Sequence, residues 1–441
     1  MTSVDAFIAA NRFGLGPRLG GLSGIAHDPR GWLLRQLGTA DGTAPHLAGL
    51  PSAKSVLAEF IKVRRDPVAR MKFNKEKGNP LYIREAMQRT AGAIETDTPF
   101  RERLVRFWSN HFTVSIMKGP VRKFAGAYER EAIRPHVTGR FEDLLLAVVR
   151  HPAMLMYLDN VVSIGPNSRL GRRRSRGLNE NLSREILELY TLGVDGGYKQ
   201  ADIIALARML TGWTVAGRRQ SDPGAFVFLA PRHEPGPKTF LGRRFSEDGE
   251  NEAEEALRML ARHPATARFI ATKLARHFIA DDPPDTAVRA LERRYLDTGG
   301  DLREVSRALV TLEEPWRDPL AKVKTGEELV ISAMRLVGPP KKKKQILSAL
   351  RLLGQMPFGA PSPAGWPDVA AAWIGPESLI RRIELMELLA KRSASSADPR
   401  GLADQALGAV ARQSTIAAIG RAESRREALA LLLASPEFQR R

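Results

Sequence analysis

Residues 179–192, NENLSREILELYTL, hold the densest set of chemically capable side chains in this sequence. At helical spacing Asn181, Glu185 and Glu188 stand at i, i+4 and i+7 on one face. Leu182, Ile186, Leu189 and Tyr190 form the opposing apolar face. Two carboxylates a turn apart can bind a hard divalent cation, or serve as general acid and base. The plainer alternative is an amphipathic helix whose glutamates are solvated. Glu188 falls in the last turn, where the helix dipole disfavours a negative charge and calls for a partner. Arg184, four residues before Glu188, is the simplest one.

Two histidines extend this set. His111 closes an apolar stripe of Leu104, Phe107, Trp108 and Phe112, so it is either a ligand or a core imidazole bonded to a carbonyl. His233 lies in a loop beside Glu234, where ligation or proton transfer needs little special geometry. Together His111, Glu185, Glu188 and His233 could hold a divalent cation, with Glu185, Glu188 and His233 as candidate catalytic groups. Their spacing matches no known metal motif, so only folding can bring them together. Asp202 suits the first turn of a following helix, where a negative charge is favoured. Trp366 sits in PSPAGWP, where three prolines fix an extended loop. Its indole can stack on a sugar ring or lie as a lid over core helices.

The elements that must position these groups read as helices. A 3.6-residue period dominates the chain. Thr98-Pro99 starts one helix, with a cap followed by proline at the first helical position. Asn179 caps the carboxylate helix, Gly193 ends it, and Asp195-Gly196-Gly197 turns the chain into the next helix, ADIIALARMLTGW. Strand signal is confined to Phe226–Phe228 and residues 239–241, which flank a Pro/Gly-rich turn and are expected to pair. The expected fold is therefore all-α: a large multi-helical globular protein with at most one small β-hairpin. Three lobes are expected at residues 1–165, 178–320 and 321–441, the second holding the 179–213 motif. The joints are residues 165–177 and 338–344, and the whole reads as one continuous domain.

Composition narrows the function classes. With 441 residues, 43% hydrophobic and 27% charged, the chain can bury a large core unaided. It has no cysteine, which excludes disulfides, zinc-thiolate sites and cysteine nucleophiles. A net charge of +19, concentrated at residues 62–77, 169–176 and 341–344, favours anionic partners. No nucleic-acid motif accompanies those clusters. No apolar run reaches the roughly 20 residues of a membrane span, and no export signal is visible, so a soluble protein is expected. The expected compartment is the cytoplasm by default, or the periplasm if the protein is exported with a partner.

Several segments carry a family resemblance in order: NRFGLGP at 11–17, RFWSNHFTVS at 106–115, HPAMLMYLDN at 151–160 and NENLSREILELYTLGVDGGYKQADI at 179–203. LTGW at 210–213, KTFLG at 238–242, GQMPFGAPSPAGWPD at 354–368 and ASPEFQRR at 434–441 follow. The chain resembles, over nearly its full length, the bacterial domain of unknown function 1800 family. The resemblance implies a shared helical fold and no established reaction. It also implies a partner, since members often neighbour a gene whose product resembles the alkaline phosphatase and sulfatase superfamily and often carries a twin-arginine export signal. This chain departs from the family in having His233-Glu234 where His-Asp is common, and Tyr190 where histidine is frequent. Many relatives also begin with an export signal. Three functions remain in view: an envelope-associated accessory or binding protein for the phosphatase/sulfatase-like partner, a metal-dependent hydrolase acting on an anionic substrate, and non-specific nucleic-acid binding.

Overall fold

The computed structural model describes residues 3–38, 45–174, 177–393 and 398–441. Ser175 and Arg176, the end of the basic run at 169–176, lie outside them.

The chain is all-α apart from four short strands. Six helices matter for the site: α1 (Asn79–Glu95), α2 (Pro99–His111), α3 (Asn181–Glu185), α4 (Gln200–Met209), α5 (Pro264–Phe278) and α6 (Gly326–Val337). Buried apolar residues from Phe7 to Phe438 join one continuous core.

α2 is the central helix. Its expected apolar stripe is buried, from Leu104 through Phe107, Trp108 and His111 to Phe112. Its charged face is buried too, which the periodicity gives no hint of. Arg101, Glu102 and Arg103 are all inside. Burying charge is expensive unless each group is paired and hydrogen-bonded. Here Glu102 accepts two bonds from Arg134, at 2.6 and 2.8 Å. Arg103 pairs with Glu328 of α6 and donates to the Gly14 carbonyl at 2.6 Å. Thr98 occupies the cap position, yet its hydroxyl bonds to Thr96 at 3.2 Å and caps no backbone amide.

α3 begins after Asn179, whose side chain accepts from the Asn181 amide at 2.9 Å. It continues as a wider π turn over Ile186–Tyr190. Gly193 then adopts φ +82°, and a Cβ there would lie 2.8 Å from the Phe269 ring, so glycine is needed on both counts. α4 follows, and Asp202 bonds both its own helix start, through Lys199 N at 2.8 Å, and Leu241 N at 2.7 Å.

The strands correct one expectation. Two antiparallel pairs form where a single hairpin was expected: β1 (Trp213–Val215) with β2 (Phe226–Phe228), and β3 (Lys238–Phe240) with β4 (Arg243–Phe245). β2 and β3 do not pair with each other. The reason is local. Leu241 and Gly242 both take positive φ, 47° and 75°, which is the backbone of a two-residue hairpin turn. That turn folds β3 directly onto β4, and β2 is left to the strand that follows α4.

The 165–177 joint is docked over its described part, with Gly165 N bonded to Arg232 O at 2.9 Å and Leu170 N to Pro231 O at 3.0 Å. Lys341, Lys342, Lys343 and Lys344 are exposed. Among the described residues no helix is long and apolar enough to cross a membrane.

Candidate functional site

The residues singled out by sequence fall into separate neighbourhoods. His111 is buried, ringed by Trp108, Phe112, Phe141 and Tyr190. Its Nε2 donates to the Tyr190 carbonyl at 3.1 Å, and its Nδ1 has no hydrogen-bond partner among the described residues. Burial first, then the Lys273 charge, drives its pKa well below the ordinary value, so the ring is neutral.

His233 is also buried. Its Nδ1 donates to the Thr211 carbonyl at 2.9 Å, and its Nε2 accepts from Lys238 at 3.2 Å. Lys238 in turn pairs with Glu252 at 2.8 Å and donates to the Glu234 carbonyl at 2.7 Å. The Glu234 carboxylate accepts from the Asn167 backbone and side chain, at 2.9 and 2.7 Å.

On α3 and its π turn, Arg184 pairs with Glu188 and Glu180, each at 3.2 Å. Asn181 is exposed, and Glu185 is half-buried. Burial and the neighbouring Glu188 push the Glu185 carboxyl up. Among the described residues no three His, Asp or Glu side chains are grouped to hold a metal ion. His111 meets the carboxylate segment at Tyr190, through its carbonyl and its ring, and His233 belongs to the strand region.

Trp366 and His111 instead lead to a cleft of about 330 Å³ between α2, α5 and the loop 355–369. Asn110, at the end of α2, holds that loop with two bonds, Nδ2 to Trp366 O at 2.9 Å and Oδ1 from Trp366 N at 2.7 Å. Gly365 makes this approach possible. Its φ is +81°, and a Cβ would lie 2.5 Å from the Asn110 carbonyl. Trp366 is half-buried and packs toward Trp373, with ring centres 6.1 Å apart.

α5 supplies the chemistry. Lys273, Arg276 and His277 stand at i, i+3 and i+4 and all line the cleft. His277 Nδ1 donates to Asp368 Oδ2 at 2.5 Å. Asp368 is further held by Lys322 at 3.3 Å and Arg441 at 3.8 Å. Burial opposes its charge, yet His277, Lys322 and Arg441 overcome that and keep the carboxyl well below its usual range. For His277 burial outweighs the attraction of Asp368, so its pKa falls and the ring is neutral. The remaining lone pair, on Nε2, accepts a long bond from Arg103 at 3.5 Å. Arg441 also donates to the His277 carbonyl at 2.8 Å, fixing the backbone beneath the ring.

Five basic side chains line the cleft, Arg89, Arg103, Arg106, Lys273 and Arg276, against the carboxylates of Glu327, Glu328 and Asp368. Arg89 and Arg106 share Glu327, each at 2.6 Å, and Arg103 takes Glu328. Lys273 and Arg276 have no ion pair among the described residues. The Lys273 ammonium lies 5.4 Å from the centre of the Phe269 ring. Burial lowers its pKa to about 8; Asp368 opposes the fall and Arg276 adds to it.

A family model for proteins of unknown function, DUF1800, matches residues 8–440. The chain belongs to the DUF1800 family. No curated protein and no solved structure matches it. In this DUF1800 protein, two of the segments that carry the resemblance, 106–115 and 354–368, form facing walls of the cleft. The family description names no reaction, so the chemistry must be read from the site. Sequence reasoning missed Lys273, Arg276, His277 and Asp368. The available signal was the Lys-x-x-Arg-His spacing of α5, but its partner Asp368 is 91 residues further on.

Proposed function

We propose that this DUF1800 protein binds a small anionic ligand in the 355–369 cleft and moves a proton on it through His277. The observation that carries this reading is one helical face. Among the described residues Lys273 and Arg276 have no carboxylate partner, and they stand beside a neutral histidine oriented by Asp368. With Nδ1–H tied to Asp368, the Nε2 lone pair is the proton acceptor, and the carboxylate stabilises the imidazolium that forms. The two unpaired cations favour an anion at the same place. A cavity of about 330 Å³ suits a small metabolite-sized molecule.

A thermal-shift screen of small carboxylates and phosphates tests this. At least one class is expected to raise the melting temperature of the wild type, with the shift lost in the Lys273→Gln, Arg276→Gln double variant. Equal shifts in both proteins, or none with either class, would refute it.

One observation favours an accessory role as well. The helical-hairpin apex near residues 62–77 exposes Lys62, Arg64, Arg65, Arg70, Lys72 and Lys75. Such a surface suits an acidic face on the phosphatase/sulfatase-like partner that the resemblance implies. Co-elution of the two purified proteins at low salt, lost in Arg64→Glu, Arg65→Glu, is the expected result. Separate elution of the wild-type proteins would remove this role.

A further inference from the structure

We infer that the ligand of this cleft is a 2-oxo acid or similar anionic carbonyl compound, and that Lys273 condenses with its carbonyl to form an imine. The inference rests on the anion-binding reading and deepens it.

Buried lysines of this fold are of two kinds: Lys123 and Lys324 lie over phenylalanine rings with no carboxylate partner among the described residues, outside the cleft lining, and others are paired. Lys238 and Lys322 are both buried and both bound to carboxylates. Lys273 is set apart by its place: it lines the cleft, its ammonium 5.4 Å from the centre of the Phe269 ring, with no hydrogen bond or ion pair among the described residues. Burial, with a smaller push from the Arg276 charge and against the pull of Asp368, lowers its pKa to about 8, so a larger share of this amine is neutral and nucleophilic than in an exposed lysine. A lysine placed only to attract an anion needs no proton-transfer group at its side. This one has His277 one helical turn away, with Nε2 unprotonated and Asp368 behind it.

Imine formation uses both. The neutral amine nitrogen attacks the carbonyl carbon, a C–N bond forms, and the carbonyl pair moves to oxygen. The nitrogen gives up a proton and the oxygen gains one, producing a carbinolamine. Loss of the second nitrogen proton, with protonation and departure of the hydroxyl, gives the imine and one water. No oxidant or reductant takes part. His277 Nε2 is the group in the cleft placed to accept and return those protons, and Arg276 faces the carboxylate of the ligand.

The test uses the full chain, glyoxylate as probe and cyanoborohydride to trap the imine, followed by peptide mass mapping. Lys273 is expected to label roughly tenfold or more faster than exposed Lys341–Lys344, because a lowered pKa raises its neutral fraction. Lys273→Arg is expected to lose that label, and the wild type is expected to show a thermal shift with oxalate, a non-condensing anion. His277→Gln is expected to trap more slowly. Labelling of Lys273 no faster than of the exposed lysines, in protein that still binds oxalate, would overturn the imine and leave anion binding standing. Wild-type trapping rates in His277→Gln would remove the proton-transfer role. Absence of any anion binding by the wild type would remove both readings.

Discussion

Lys273→Met is expected to make the protein more stable while abolishing ligand binding. A lysine held at about 8 in the folded state, against an ordinary 10.5, disfavours folding whenever it is protonated in both states. Each pH unit of difference corresponds to about 1.4 kcal/mol, so the full penalty is about 3 kcal/mol. Contact with solvent in the cleft screens part of it, leaving about 1–3 kcal/mol. Methionine keeps the stem and can pack against Phe269 without the charge. Asp368 loses little, because His277, Lys322 and Arg441 still hold it. The pH dependence identifies the cause. Between about 8 and 10.5 the unfolded chain binds more protons at this lysine than the folded one, so wild-type stability rises with pH there. The advantage of the variant is therefore complete below pH 8 and fades as pH approaches 10.5. Urea unfolding of both proteins at pH 7 and pH 9.5, compared as a difference, measures it. A variant less stable than wild type at pH 7, or a gap that ignores pH, would refute the reasoning.

Other perturbations probe the frame around the cleft. Glu129 is buried, which alone would raise its pKa, but Arg89 and Arg134 hold it at about 2. Glu129→Gln is expected to lose about 3 kcal/mol at pH 7 in urea unfolding. Because the folded pKa is depressed, that deficit should shrink as pH falls from 4.5 toward 2; a deficit unchanged over that range would count against the pairing. Gly365→Ala places a methyl group against the Asn110 carbonyl at a positive φ, and is expected to lower stability by about 1–3 kcal/mol. The same variant should weaken anion binding, since it loosens the Trp366 loop; an unaltered melting temperature would show that the loop can move without loss. Glu185→Gln removes a half-buried carboxylate that has no hydrogen-bond partner among the described residues, and should change stability by less than about 0.5 kcal/mol. A loss of several kcal/mol would reveal a partner for it.

The helical class, a few helix boundaries and the family were legible in the sequence. These are matters of local pattern. The apolar stripe of α2 and the glycine turn at Gly193 each depend on residues a few positions apart and appear in the structure as read, whereas Glu180 rather than Asn179 takes the cap position of α3. The two central strand segments were legible for the same reason. Their pairing was not, because it turned on a positive φ at Leu241, a residue type that does not announce it. Tertiary structure alone decided the site. The carboxylates of α3 and its π turn were conspicuous by spacing, yet Glu188 closes on Arg184, and His111 and His233 each hold a backbone carbonyl through one ring nitrogen. The cleft draws its histidine and its aspartate from points 91 residues apart, steadied by Arg441 from another region again. A helix periodicity records which face is apolar; it does not record which charged group waits on the far side. Burial of the charged face of α2 and the pairing of His277 with Asp368 are set by distant segments meeting, and that information enters only when the chain has folded.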